Sequence, residues 1–63
     1  MTTKEAEHHL QSGGRLISSK RLDEVYYNSL TKQYILEFYI GNQLSGETTN
    51  FMWEFLPTFE IKR

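Results

Sequence analysis

Residues 34–40, Tyr-Ile-Leu-Glu-Phe-Tyr-Ile, are apolar on both sides of an extended chain, and this limits the fold more than any other feature. In a strand, alternate side chains face opposite ways. Tyr34, Leu36, Phe38 and Ile40 then share one face, and Ile35, Glu37 and Tyr39 share the other. An antiparallel sheet in a small monomer usually keeps one face dry and the other wet. Here both faces need cover, and the chain has little material to supply it. A chain of 63 residues buries only about 60% of its unfolded surface. Domains of this size usually rely on disulfides, a metal or a partner subunit. Cysteine is absent, which removes disulfides and thiolate zinc sites. An unusually apolar core or oligomerisation remains, and four Tyr, four Phe and one Trp favour both.

The rest of the chain reads as one domain over residues 1–63. Residues 2–12 form a short helix. Thr2 and Glu5 make a capping box, and Glu5 and Glu7 sit where the helix dipole favours negative charge. Gly13-Gly14 stops the helix. Ala6 and Leu10 are its only apolar anchors, too few to hold it in isolation. Residues 15–19 and 24–28 are candidate strands, the second rich in Val and Tyr. Residues 20–23 between them read as a loop or bulge, with a helical turn capped by Ser19 as the other reading. Residues 28–32 form a hairpin connection. Gly41-Asn42 and Ser45-Gly46 punctuate a loop after the central strand. Residues 48–56 read as its partner strand, with Phe51, Trp53 and Phe55 on one face and Met52, Glu54 and Leu56 on the other. Pro57 ends that strand, and residues 59–62 add an edge strand guarded by Glu60, Lys62 and Arg63. The predicted class is α+β: a short N-terminal helix packed on a four- to five-stranded antiparallel sheet, open or curled into a partial barrel.

Function is sought first on the second face of the central hairpin. Ile35, Tyr39, Met52 and Leu56 are expected there with Glu37 and Glu54 between them. Either the sheet curls to cover these residues, or they form a patch for a partner protein or a second copy. A β-bulge would exchange the two faces. Arg15, Lys20 and Arg21 form the basic cluster, and with Tyr26 or Tyr27 as a stacking surface they make an alternative nucleic-acid site. Asp23 and Glu24 follow at once, the formal charge is −1, and the glycines follow a helix instead of opening one. Direct nucleic-acid contact is therefore not expected. His8 and His9 point about 100° apart on a helix and make no shared metal site. No cofactor is implied. Glu37 and Glu54 are the only candidate acid–base pair, and such work also needs a cleft. Catalysis is not expected.

Thr3-Lys4-Glu5-Ala6 through Leu10, then Gly13-Gly14-Arg15-Leu16-Ile17, resembles the opening of small phage-encoded proteins, among them inhibitors of bacterial defence systems such as anti-CRISPR proteins. The resemblance spans about the first 20 residues and carries no site residue over. It implies a protein partner, such as a nucleic-acid-processing host protein, blocked sterically in the host cytoplasm. A structural homodimer is a further reading. The polar N-terminus has no signal-peptide core, and no apolar run approaches the ~20 residues that span a bilayer.

Overall fold

The computed structural model describes residues 1–18 and 23–62. Helix α1 (Thr3–Gln11) starts at the expected capping box. The Thr2 amide donates to Glu5 Oε1 at 2.9 Å and the Glu5 amide donates to Thr2 Oγ1 at 3.1 Å. It ends in a Schellman motif. Gly13 N donates to the Leu10 carbonyl at 3.1 Å and Gly14 N donates to the His9 carbonyl at 3.0 Å. Gly13 takes φ 98°, a conformation that disfavours any residue with a Cβ. Gly14 is favoured for a different reason: a Cβ there would overlap the His9 imidazole, which would have to move.

Among the described residues five strands follow: β1 (Leu16–Ile17), β2 (Glu24–Asn28), β3 (Gln33–Ile40), β4 (Gln43–Thr48) and β5 (Glu60–Ile61). They form one open antiparallel sheet in the order β4-β3-β2-β1-β5, not a barrel. The β2–β3 connection is stapled by Asn28, whose side-chain oxygen accepts from Leu30 N and Thr31 N at 3.0 and 3.3 Å. The β3–β4 turn is tighter than the loop expected from sequence. Ile40 pairs with Gln43, and Gly41 and Asn42 both have positive φ, 53° and 69°. That is the type I′ geometry whose twist suits a hairpin. Ser45-Gly46 lies within β4, where the register slips between Phe38 and Tyr39.

The main correction concerns residues 48–56. They are not the partner strand. Gln43–Thr48 takes that place, and Trp53–Thr58 is a 3-10 helix. Thr48 Oγ1 accepts from Asn50 N at 3.0 Å, turning the chain out of the sheet. At three residues per turn, positions three apart eclipse. Trp53, Leu56 and Phe59 face the core, whereas Met52, Phe55 and Thr58 lie on an outer side. An apolar stretch of this spacing reads equally well as alternation until the sheet partner is known.

One face of the sheet holds the core. Leu16, Val25 and Leu36 are in register across β1, β2 and β3 and therefore project to the same side. Ala6 and Leu10 from α1 and Leu56 from the 3-10 helix close over Leu16 and Val25, each with at most 1% of its surface exposed. Each such aliphatic larger than Ala contributes roughly 1.5–3 kcal/mol by its burial. Tyr27, Tyr34, Trp53 and Phe51 pack around this cluster with successive ring centroids 4.7, 4.7 and 5.7 Å apart.

Candidate protein-docking surface

The two faces of the sheet divide the predicted site residues between them. Glu24, Glu37 and Glu47 are direct cross-strand partners on the face away from α1. Like charges placed opposite each other destabilise a sheet. Arg15 answers this by wedging between the first two. Its Nη1 donates to Glu24 Oε1 and its Nη2 to Glu37 Oε1, both at 2.8 Å. Lys62 Nζ donates to Glu24 Oε2 at 2.8 Å, and the Tyr39 hydroxyl donates to Glu37 Oε1 at 3.1 Å. The guanidinium carbon lies 4.5 Å from the centroid of the Tyr26 ring, a cation–π contact. Burial opposes the charge on Arg15, but the carboxylates of Glu37 and Glu24 win and hold its pKa above the ordinary range. Burial of Tyr39 and its bond to Glu37 raise the phenol pKa.

This network overturns several expectations. The second face is not an apolar patch. Ile35, Glu37 and Tyr39 do lie there, but Ile35 and Glu37 each keep only 8% of their surface exposed, and Glu37 and Tyr39 are bonded to each other. Met52 and Glu54 stand at the 3-10 helix on the α1 side, both exposed, and Leu56 is a core residue at 1% exposure. The six residues Ile35, Glu37, Tyr39, Met52, Glu54 and Leu56 therefore form no single surface. Glu37 and Glu54, read as neighbours across strands, are not: the cross-strand partners of Glu37 are Glu24 and Glu47. The nucleic-acid reading loses Arg15 to the two glutamates and Tyr26 to Arg15, while Tyr27 packs on Tyr34. Lys20 and Arg21 lie outside the described residues, as does the proposed turn from Ser19. His9 Nε2 contacts the Arg15 carbonyl at 3.2 Å, and His8 is exposed. Among the described residues no three acids or histidines cluster in a metal-binding arrangement.

The uncovered apolar surface is on the other face. Helix α1 and the 3-10 helix cap Tyr34 and Leu36 but stop short of the end of β3. Along that strand Leu36 is half-buried, Phe38 is 36% exposed and Ile40 is 72% exposed. Across from Phe38, the outer side of the 3-10 helix presents Met52 at 60% and Phe55 at 59% exposure. Between them lies a cleft of about 320 Å³ with Leu36, Phe51, Leu56 and Phe59 among its lining residues and Ser18, Asp23 and Thr58 supplying polar atoms. The sequence did indicate more apolar surface than one helix covers. It did not indicate that the excess would sit beyond the helix on the core-facing side. Phe38 and Ile40 share the face of Tyr34 and Leu36 but lie past the helices that cover it, and Phe55 reaches the cleft from the 3-10 helix, not from a partner strand. A period of three, tested against residues 52–59, is the signal that separates Met52 and Phe55 from Leu56.

The chain matches no protein-family model, no curated protein and no solved structure. No helix among the described residues is long and apolar enough to cross a membrane.

Proposed function

We propose that this chain is a small protein-binding module that docks through the cleft between the end of β3 and the 3-10 helix. The observation that carries the reading is the exposed row Phe38, Ile40, Met52 and Phe55 beside an apolar cleft. Phe38, Met52 and Phe55 all line the cleft and each leaves a third or more of its surface in water, the kind of apolar rim a binding patch offers. Met and Phe are also types enriched at interfaces. The opposite face offers less: Glu24 and Glu37 at its centre are already paired with Arg15 and Lys62, so a partner there would have to desolvate satisfied ion pairs. Specificity would come from shape and polar rim contacts, not turnover.

A phage or mobile-element inhibitor that occludes a host defence protein is the particular form suggested by the resemblance of the first residues. The experiment is quantitative co-purification from a bacterial host with the wild type, Phe55→Asp, Met52→Asp and Tyr39→Phe. The two Asp variants are expected to lose the captured protein while keeping wild-type circular dichroism, and Tyr39→Phe is expected to retain it. Unchanged capture by both Asp variants rejects the surface.

A further inference from the structure

Strand β4 is the outer strand of the sheet, and among the described residues only β3 pairs with it. A free edge is a template for another extended chain, and proteins usually guard it with shortness, Pro or charge, Lys above all. The opposite edge follows that rule: β5 has two residues, and Glu60 and Lys62 stand on it. β4 has six residues, Gln-Leu-Ser-Gly-Glu-Thr, with no Pro, Lys or Arg. The register places its outward backbone groups. Gln43 closes the two-residue turn onto Ile40 and so spends its amide there. Backbone groups alternate along an antiparallel strand, which turns those of Leu44 to the open side. Ser45 is the extra residue of the bulge, since Tyr39 pairs with Leu44 and Phe38 with Gly46. Past it, Glu47 is the next residue whose groups face outward. We propose that β4 accepts an extended segment of a partner protein as a sixth strand, with a Lys or Arg of that segment beside Glu47. Charge selects this occupant. Glu24, Glu37 and Glu47 stand in one row across the sheet. Arg15 and Lys62 answer the first two, and Glu47, exposed at the edge, meets no cation among the described residues. Opposite charges on neighbouring strands stabilise a sheet, and like charges destabilise it. Leu44 is on the same face and 54% exposed, so the incoming strand sets an apolar residue beside it. A second copy fits poorly, because its β4 brings another Glu47 and no cation. The bulge leaves two separated pairing positions instead of a continuous row, so backbone bonds alone hold a strand weakly and the basic side chain decides which strand stays.

The probe is a capped peptide, Thr-Val-Thr-Lys-Thr-Val-Thr, whose Lys and Val side chains share one face when extended. Amide NMR spectra of the whole chain, titrated with peptide to about 1 mM, read the site. The Leu44 and Glu47 amides are expected to shift and to gain exchange protection. The same peptide with Glu in place of Lys is expected to bind about fivefold more weakly or worse, and Glu47→Gln should erase that preference. Leu44→Pro removes an outward amide without touching the pairing to β3 and should abolish binding with unchanged circular dichroism. Phe55→Asp, which lies at the cleft, should leave peptide binding intact, so loss of cleft docking and loss of edge pairing are told apart. Unmoved β4 amides at the highest peptide concentration overturn the inference. So do shifts centred on Phe38, Met52 and Phe55, which put the peptide in the cleft. Equal affinity for the Lys and Glu peptides overturns the basic partner, and β4 shifts that follow chain concentration without peptide make the occupant a second copy and the inference wrong.

Discussion

Arg15 is the residue on which most of the network face depends. Among the described residues it is the side chain bonded to both Glu24 and Glu37, two nearly buried carboxylates directly opposite each other. Arg15→Met is expected to destabilise the fold by about 2–3 kcal/mol, below the usual cost of orphaning a buried ion pair because Arg15 keeps a third of its side chain in water. Adding Glu24→Gln and Glu37→Gln to that variant should recover part of the loss, since neutral amides opposite each other repel little. Urea midpoints measure both changes; a recovery of nothing would show that the arginine acts through packing on Tyr26 alone. Glu5 carries an acid-side dependence. Thr2, through backbone and side-chain hydrogen bonds, holds the Glu5 carboxyl below its ordinary 4.5. A lowered pKa contributes stability that is present above the unfolded value and lost as pH falls through the folded value. Amide protection in the first turn of α1, measured relative to intrinsic exchange at each pH, should therefore fall on acidification below about 4.5, and Glu5→Gln should remove that dependence. Tyr39 has the opposite sign. Its raised pKa gives a contribution that is full below the ordinary phenol value of 10.0 and fades as pH rises through the folded value.

At the scale of elements, the capping box, the glycine stop and the strand at Glu24–Asn28 were legible because each is written in local chemistry. Thr2 and Glu5 cap whatever lies beyond them, and Val25, Tyr26 and Tyr27 suit a pleated surface. Two elements were not legible. Strand β4 reads Gln-Leu-Ser-Gly-Glu-Thr, with no apolar face, because it is an edge strand whose side chains are mostly in water and its pairing comes from the type I′ turn. The 3-10 helix was hidden by its own richness: with an apolar residue at nearly every position of 51–56, periods of two and three fit equally well. Substitution separates them. Leu56→Asp should abolish folding and Leu56→Ala should cost about 2–5 kcal/mol, while Met52→Asp leaves the thermal midpoint nearly unchanged. A strand would put Met52 and Leu56 on the same face and give both the same cost. Gly14→Ala belongs here too, since it tests the packing of α1 on the chain that follows: it should destabilise, and His9→Ala in the same chain should relieve it.

For the whole molecule, coverage decides where apolar surface stays exposed. One nine-residue helix and one short 3-10 segment cannot roof a sheet whose longest strand carries apolar residues to its end. The sequence exposed that shortfall through the two-sided pattern of residues 34–40, yet it put the surplus on the wrong side. Arg15 and Lys62 arrive from outside the hairpin to satisfy Glu24 and Glu37, a long-range match that no local pattern encodes. Once that face is closed by charge pairing, the uncovered surface is the extension of the core past its roof. Site-specific photo-crosslinking is the most direct measurement: a photo-reactive phenylalanine analogue replaces Phe55 in one protein and Tyr39 in another. Adducts to a protein partner should form from position 55 and not from position 39. Adducts from 39 with none from 55 would put the docking surface on the charged face and contradict the account.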